Sequence, residues 1–310
     1  MSTITRSLRR LPFPPAQALP LATHAIATVG FRPVSQGAGP DLWAAGERAT
    51  VSSQANGAIA GSVARAARPF ELALGLGDLA DRRIDVLDDR FHGTSVREIT
   101  YLDARGRAVG LVRLATDGRL LAAVHLGFRE AYATGSLSEA AAVRRAATLV
   151  RDLGLAVPVG PPATRRQMNG LQWTVTWPRV VAGVPVDGDG LTVRLWRSSD
   201  LHSVTITERP LMRPSRTMDA SSARAMLDAA LPALLSGERP TDAALEAMGL
   251  HWVAANDRYR PSGADAPAPA LRLAYVFELR FSGASAATVR AATFWIDAET
   301  GDLLGGDVLR

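Results

Sequence analysis

The amino-acid sequence predicts an α+β protein made of tandem units, each an antiparallel sheet with a helix packed on one face. Residues 172–177 alternate between polar and apolar side chains, and residues 271–281 alternate large apolar side chains with Arg272, Ala274, Val276, Glu278 and Arg280. This period of two is typical of half-buried strands. Residues 136–153 and 219–235 instead carry apolar residues at helical spacing. A helix, a Pro/Gly-rich loop and a set of strands recur twice in that order, which indicates a repeated unit.

The first 135 residues predict two regions of different character. Residues 1–60 are rich in Pro, Gly, Ser and Ala and predict a flexible or weakly structured N-terminal arm, with a short strand near 25–29. Residues 61–135 predict a β-rich meander, because turn sequences at 103–106 and 116–119 separate three apolar runs. We interpret this meander as a candidate degenerate repeat.

Residues 136–212 and 213–310 predict the two clear repeats. In the first, Ser136 with Glu139 three positions later has the spacing of a capping box, and Gly154 marks the helix end. In the second, a helix begins near Asp219, and residues 241–248 predict another short helix. The alternating segment 271–281 is the clearest strand of the chain.

The stretch 172–193 predicts, in order, a strand, a bend, a second strand, a tight turn and a third strand. Pro178 interrupts the first strand because proline has no N–H for the ladder. Residues 187–190, Asp-Gly-Asp-Gly, predict a solvated hairpin turn before the next strand.

Composition limits the classes of function. The chain has 310 residues, 47% hydrophobic residues, no cysteine and a net charge of +5, so it can form a core but has no disulfide or thiolate site. All 35 basic residues are arginine and they are interleaved with 30 acidic residues, which favours scattered surface charge over a nucleic-acid interface. No apolar run reaches the roughly 18 residues of a membrane span. Prolines break the segment after the first arginines, so no signal peptide is visible.

Two segments resemble a known family. The C-terminal ATFWIDAETGDLLG, residues 292–305, looks like the end of a PepSY domain. The pattern around Trp173, Trp177 and Arg179, followed by Gly183-Val-Pro-Val186, resembles the PepSY-like repeats of YcdB/YcdC-type bacterial proteins and the fungalysin/thermolysin propeptide motif. The resemblance covers roughly residues 136–310. It implies a cystatin-like α+β module that is extracytoplasmic and inhibits, chaperones or otherwise binds a peptidase or another protein.

The sequence predicts no catalytic, cofactor-binding or metal-binding residue. None of the five histidines has another histidine three to five positions away, as a helix-borne zinc site requires. Two acidic pairs, Asp187 with Asp189 and Asp297 with Glu299, lie in predicted turns. Carboxylates in water keep similar pKa values and are poor acid–base pairs, so a hydrolase that uses them ranks last among the alternatives.

Tryptophans supply the candidate binding residues. Most of the tryptophans in strands are expected in the core. Trp196 lies on the opposite side of its strand from Leu191, Val193 and Leu195, so it is the tryptophan for which we expect surface exposure. We therefore predict Trp196, Arg194 and Arg179 as partner-binding residues.

The sequence thus predicts a non-enzymatic binding module without a cofactor, whose partner is a protein and plausibly a peptidase, contacted by a sheet edge or face. The alternative is a small-ligand carrier with a pocket between sheet and helix, lined by Trp173, Trp177 and Met168. Neither nucleic acid nor a membrane span is expected.

Overall fold

The computed structural model describes residues 32–33, 57–79, 81–89, 94–127, 130–158, 160–235, 240–256, 270–283, 286 and 289–309. The expected arm over residues 1–60 and its short strand near 25–29 lie mostly outside these ranges. The helices are α1 (Gly57–Ala73), α2 (Glu139–Asp152) and α3 (Ala220–Leu234). The strands are β1 (Arg32–Pro33), β2 (Asp81–Asp89), β3 (Thr94–Leu102), β4 (Ala108–Ala115), β5 (Leu120–His125), β6 (Ala163–Gln167), β7 (Gln172–Val181), β8 (Val184–Trp196), β9 (Leu201–Thr207), β10 (Leu211–Met212), β11 (Ala243–Val253), β12 (Leu271–Phe281), β13 (Ala291–Asp297), β14 (Leu303–Gly305) and β15 (Asp307–Leu309).

The predicted fold class is wrong. Strands take up 48% of the described residues and helices 22%, so the protein is dominated by β-sheet. Parallel pairs join β1 to β15 and β10 to β12, so the sheet is mixed, where the sequence predicted purely antiparallel sheets. The structure is therefore a sheet-dominated fold and not a series of tandem α+β units with a helix on each sheet.

The clearest local error concerns residues 241–248. Their Ala, Leu, Glu and Met side chains favour a helix, but the structure places residues 243–248 in β11 and residues 241–242 in the turn before it. Every residue of β11 except Met248 has a partner in the adjacent β12, the strand with the strongest alternation in the chain. Pairing with such a neighbour outweighs a helix propensity of a few tenths of a kcal/mol per residue.

The chain forms two compact units. In the first, here called the meander unit (described residues within 57–180 and 188–209), the strands follow the order β2-β3-β4-β5-β9-β8-β7-β6, and every register given is antiparallel. In the second, the C-terminal unit (32–33, 181–187 and described residues within 210–309), β11, β12 and β13 form an antiparallel core. β14 and β15 both pair with β13.

In the meander unit, helices α1 and α2 cover one face of the sheet. Side chains from both helices join one apolar cluster with alternate residues of the strands. From α1 these include Val63, Ala67 and Phe70, and from α2 they include Ala146 and Val150. Each buried large apolar side chain contributes about 1.5–3 kcal/mol, so this cluster fixes which face of each strand points at the helices.

Helix α3 covers the corresponding core of the C-terminal unit. Leu227, Leu231 and Leu234 pack with Phe277 and Phe294 from β12 and β13. Asp219 caps this helix, since its carboxylate accepts the N–H of Ser222 at 2.7 Å. The helix start predicted near Asp219 is thus confirmed. None of the described helices has the length and apolar character needed to cross a membrane.

Helix α2 starts two residues later than predicted. Ser138, and not Ser136, is the N-cap, and its hydroxyl accepts the N–H of Ala141 at 3.3 Å. Its end agrees with the prediction, because Gly154 has a positive φ of 71° and its N–H reaches the carbonyl of Arg151.

The predicted turn at residues 187–190 is also wrong, because all four residues lie inside β8. The hairpin between β7 and β8 turns earlier, at Ala182 and Gly183, which both have positive φ. At Gly190, φ is +139°, and a Cβ atom would stand 2.1 Å from the carbonyl oxygen of Trp177 on β7. Glycine at this position therefore permits the close approach of the two strands.

We expect Gly190→Ala to lower the free energy of unfolding by about 3 kcal/mol or more, because the added methyl group meets backbone and the conformation is strained for an L-residue. Chemical denaturation measures this loss. The matched control is Gly183→Ala, where φ is +80° but a Cβ atom would meet nothing within 4 Å, and where we expect a loss of only about 1 kcal/mol. Equal losses in the two variants would contradict the steric explanation.

Candidate functional site

Arg179, one of the predicted partner-binding residues, belongs to a buried ion network. The side chain of Asp189 is 0% exposed and accepts from Arg209 Nε at 2.6 Å and from the Arg209 backbone N–H at 2.7 Å. Arg179 Nη1 donates to the same carboxylate at 3.1 Å and to the carbonyl of Arg209 at 2.8 Å. Arg179 is therefore engaged in holding β7, β8 and the end of β9 together.

Trp196, the second of these residues, is 3% exposed, so the expectation of a surface tryptophan is wrong. Its ring stacks on Tyr132 with centroids 5.1 Å apart and planes 6° apart. The ring of His202 meets it edge-on at 4.9 Å. As its position in the strand predicts, Trp196 lies on the face opposite Leu195 and the helices, but Tyr132 of the short 3-10 helix Glu130–Ala133 packs over that face.

Opposite the helices, the sheet face of the meander unit carries polar side chains on β6 to β9, and this part of the face is here called the polar face. Toward β2 and β3 the same face carries an apolar cluster of Leu87, Val96, Ala115 and Leu121. On β7, Trp173, Val175 and Trp177 belong to the core under the helices, so Gln172 and Thr174 point the other way. Both are nonetheless buried. A sheet face without helices normally carries solvated side chains, and burial of polar groups here requires hydrogen-bond partners.

Four residues form one row across this face, here called the arginine row: Arg165, Thr174, Arg194 and Ser203. Arg165 on β6 is paired with Thr174 on β7, and Arg194 on β8 with Ser203 on β9. The pairing of β7 with β8 follows from two contacts. Thr176 Oγ1 lies 3.1 Å from Thr192 Oγ1, and the Arg197 N–H donates to the Leu171 carbonyl at 2.8 Å. Both contacts fit the same antiparallel offset between the two strands. This offset places Thr174 opposite Arg194.

Polar atoms without partners are concentrated on and beside the arginine row. Within the described part of the chain, Arg194 Nε, Thr174 Oγ1, Gln172 Nε2 and His202 Nδ1 are buried and have no hydrogen-bond partner. Buried polar atoms are almost always paired in native proteins. Each of these orphans carries a penalty of about 1–3 kcal/mol, so their grouping marks this part of the polar face as a candidate site.

The charge state of the cluster follows from burial. Burial lowers the pKa of the Arg194 guanidinium, but an arginine stays charged at every ordinary pH. Burial is also the main cause that lowers the pKa of His202 from 6.5 to about 4, and the nearby charges of Arg194 and His125 lower it further. His202 is therefore neutral at neutral pH, and Arg194 carries the positive charge of the cluster.

The pocket expected between sheet and helix does not form around the three residues named for it. Trp173 and Trp177 are packed in the core, and Trp173 Nε1 donates to the carbonyl of Leu137 at 2.8 Å. Met168 is 54% exposed and lies in a short 3-10 turn. The structure thus brings the two tryptophans together and leaves Met168 at the surface.

The acidic residues considered for hydrolysis are held in structural contacts. Asp189 is in the ion network, and Asp187 Oδ1 lies 2.8 Å from His251 Nδ1. Asp297 pairs with Arg272 at 2.6 Å and accepts the N–H groups of Glu299 and Thr300. Over the described ranges, no group of three or more His, Asp or Glu side chains is arranged for a metal ion.

A second candidate lies in the C-terminal unit, on the edge of β11. Over the described strands, β11 has β12 on one side along its length, and its other side is paired only where Trp252 meets Val186. Residues 243–247 are here called the open edge; they carry one charge, Glu246. Two of its backbone groups are already engaged: the Ala243 N–H donates to the Pro240 carbonyl at 3.1 Å, and the Leu245 carbonyl accepts from Arg224 Nη1 at 3.4 Å.

The edge strands of the meander unit differ from this open edge. β2 reads DRRIDVLDD and β6 reads ATRRQ, and charged side chains or a short length protect sheet edges from pairing with other chains. The open edge has neither β2's density of charge nor the arginine pair of β6. The sequence did not reveal it because residues 241–248 favour a helix.

The sequence also missed Gln172, Thr174 and His202 as site residues. The alternation of β7 assigned Gln172 and Thr174 to the polar side of their strand, which was correct, but gave no sign that this side is buried.

In comparisons with known proteins, no family model and no curated protein matches the chain.

We expect the protein to lose stability as the pH falls from 6.5 to about 4, in part through His202. The unfolded chain binds a proton at this residue near pH 6.5, whereas the folded protein does so only near pH 4, so acid favours unfolding by up to about 3 kcal/mol. Urea unfolding across this range measures the loss, and His202→Gln should reduce it. Parallel pH profiles for the two proteins would contradict this assignment.

Proposed function

We propose that this chain is a non-enzymatic binding module that pairs the open edge of β11 with an extended segment of a partner protein. The observation that supports the proposal is the open edge itself: five consecutive strand residues with backbone groups on one side unpaired by any described strand and with a single charge. Extended peptides add to such edges through main-chain hydrogen bonds, and alternate side chains give specificity.

The surroundings of the open edge suit a docking strand. Ala243 and Leu245 pack partly against the core under α3, so the strand is anchored from one face. Ala244, Glu246 and Ala247 are exposed. Small side chains at two of these positions let an incoming strand approach without steric obstruction. A bulge at Met248 ends the regular register, so we infer that the partner strand spans about five residues.

A peptidase is the partner class to test first. It follows from the resemblance of residues 183–186 and 292–305 to PepSY-like sequences, and that family assignment stays a prediction. The acidic residues considered for catalysis are engaged in ion pairs or turns, which supports a binding role over hydrolysis. The same resemblance suggests an extracytoplasmic setting.

The test is binding and inhibition measured with a panel of secreted metallopeptidases and serine peptidases. We expect at least one peptidase to bind. The double variant Ala244→Lys/Ala247→Lys should weaken that binding about tenfold or more, because lysines on an edge strand discourage pairing. Ala163→Lys, which adds one lysine to the already basic edge strand β6, is the control and should bind normally.

Two results would count against the proposal: no binding to any peptidase of the panel, or equal binding by the double variant. Light scattering over a range of concentrations covers a third outcome. A dimer that the two lysines dissociate would mean that the open edge pairs with a second copy of this chain, which would overturn the assignment to a partner protein.

A further inference from the structure

Hydrogen-bond donors gather on the polar face around Arg194. An arginine side chain and the Nε2 atom of Gln172 can only donate, and the Thr174 hydroxyl can donate. His202 Nδ1 donates in one of its two neutral tautomers. Each contributes a buried atom without a partner in the described structure. A group of orphan donors is complementary to a ligand whose atoms are acceptors.

The positive charge of Arg194 also favours a ligand with acceptor atoms, and specifically an anion. Neither Arg194 nor Arg165 forms an ion pair with any residue that the structure describes. Two acids on the same sheet face lie several strands away, on β3 and β2, and are already engaged: Glu98 binds Arg113 at 2.7 Å, and Asp85 binds Arg83 at 2.8 Å. A partly buried arginine without a counter-charge is costly, and an anion beside it would remove that cost.

We propose that the arginine row binds the carboxylate group of a small molecule, with Arg194 as the central ligand-binding residue. The Nε–H and one Nη–H of a guanidinium form a fork that matches the two oxygens of a carboxylate. The Thr174 hydroxyl lies opposite Arg194 on the adjacent strand. Gln172 lies two residues before Thr174 on the same face of β7, and its Nε2 atom is buried without a partner.

Arg165 defines the side from which the ligand enters. It lies on edge strand β6, is exposed, and stands in the same row on the far side of Thr174. Strands are about 4.8 Å apart, so the backbones of Arg165 and Arg194 are separated by about 10 Å. Two arginine side chains on one face are long enough to hold a ligand between them over Thr174. The exposed Arg165 attracts the anion, and the partly buried Arg194 holds it.

A monovalent carboxylate suits this donor set better than a phosphate dianion. Only one of the four buried donors carries a charge at neutral pH, and the others are neutral. This site lies in the meander unit and is independent of the open edge of β11, so either proposal can fail without the other.

The experiment is an NMR titration of the full chain with acetate and with succinate, at constant ionic strength. We expect saturable shifts of the Arg194 Nε–H and Gln172 side-chain amide signals. Arg194→Gln should weaken binding about tenfold or more, since hydrogen bonds to charged groups contribute about 1.5–3 kcal/mol. Thr174→Val, which keeps the shape of the side chain, should weaken it a few-fold. Arg144→Gln, on the exposed surface of α2, should have no effect.

Four results would overturn the proposal. The first is that the signals do not move with either carboxylate, which would mean that ordered water alone satisfies the donors. Chloride produces the same shifts, which would mean general ionic screening. Inorganic phosphate binds more tightly than the carboxylates. Finally, a folded Arg194→Gln or Thr174→Val variant binds as the unmodified protein does.

Discussion

The buried carboxylate of Asp189 is the interaction on which the meander unit depends most. It joins Arg179 on β7 to Arg209 just after β9, and so fixes three consecutive strands at one point. A charge removed from water in this way is tolerated only when it is fully hydrogen-bonded, and Asp189 receives three N–H groups. The fixed register of β7, β8 and β9 then brings Thr174, Arg194 and Ser203 into one row, which makes the candidate site a consequence of this ion network.

The two faces of this sheet have different roles. Helices α1 and α2 bury one face, so its strand positions are apolar. The other face retains arginine, threonine, glutamine and histidine, and several of these side chains are buried without a partner. Burial of apolar side chains on the first face stabilises the fold, whereas burial on the second face leaves hydrogen-bond donors without partners. The C-terminal unit differs, because its candidate site is the backbone of an edge strand and not a set of side chains.

The sequence revealed what depends on local periodicity. The alternation of 271–281 predicted β12 with its correct bounds, and the capping residue Asp219 predicted the start of α3. The tryptophans of β7 were correctly assigned to the core. Long-range pairing was beyond this reasoning: β11 has the composition of a helix and is a strand because β12 lies beside it. Asp189 was predicted to be solvated, since nothing local shows that Arg179 and Arg209 converge on it. The same limit hid the candidate sites, because burial of Thr174 and exposure of the β11 edge arise from neighbours distant in sequence.

The central claim is that the C-terminal unit presents an unpaired strand edge, and amide hydrogen exchange tests it most directly. In an edge strand, alternate amides point away from the sheet and lack a backbone acceptor. We expect alternate amides of residues 244–247 to exchange rapidly, while those of the central strand β12 are protected throughout; the Ala243 amide is excluded because it donates to the Pro240 carbonyl. Protection of every amide in residues 244–247, at the level of β12 and in the free protein, would show that the edge is already paired and would contradict the account.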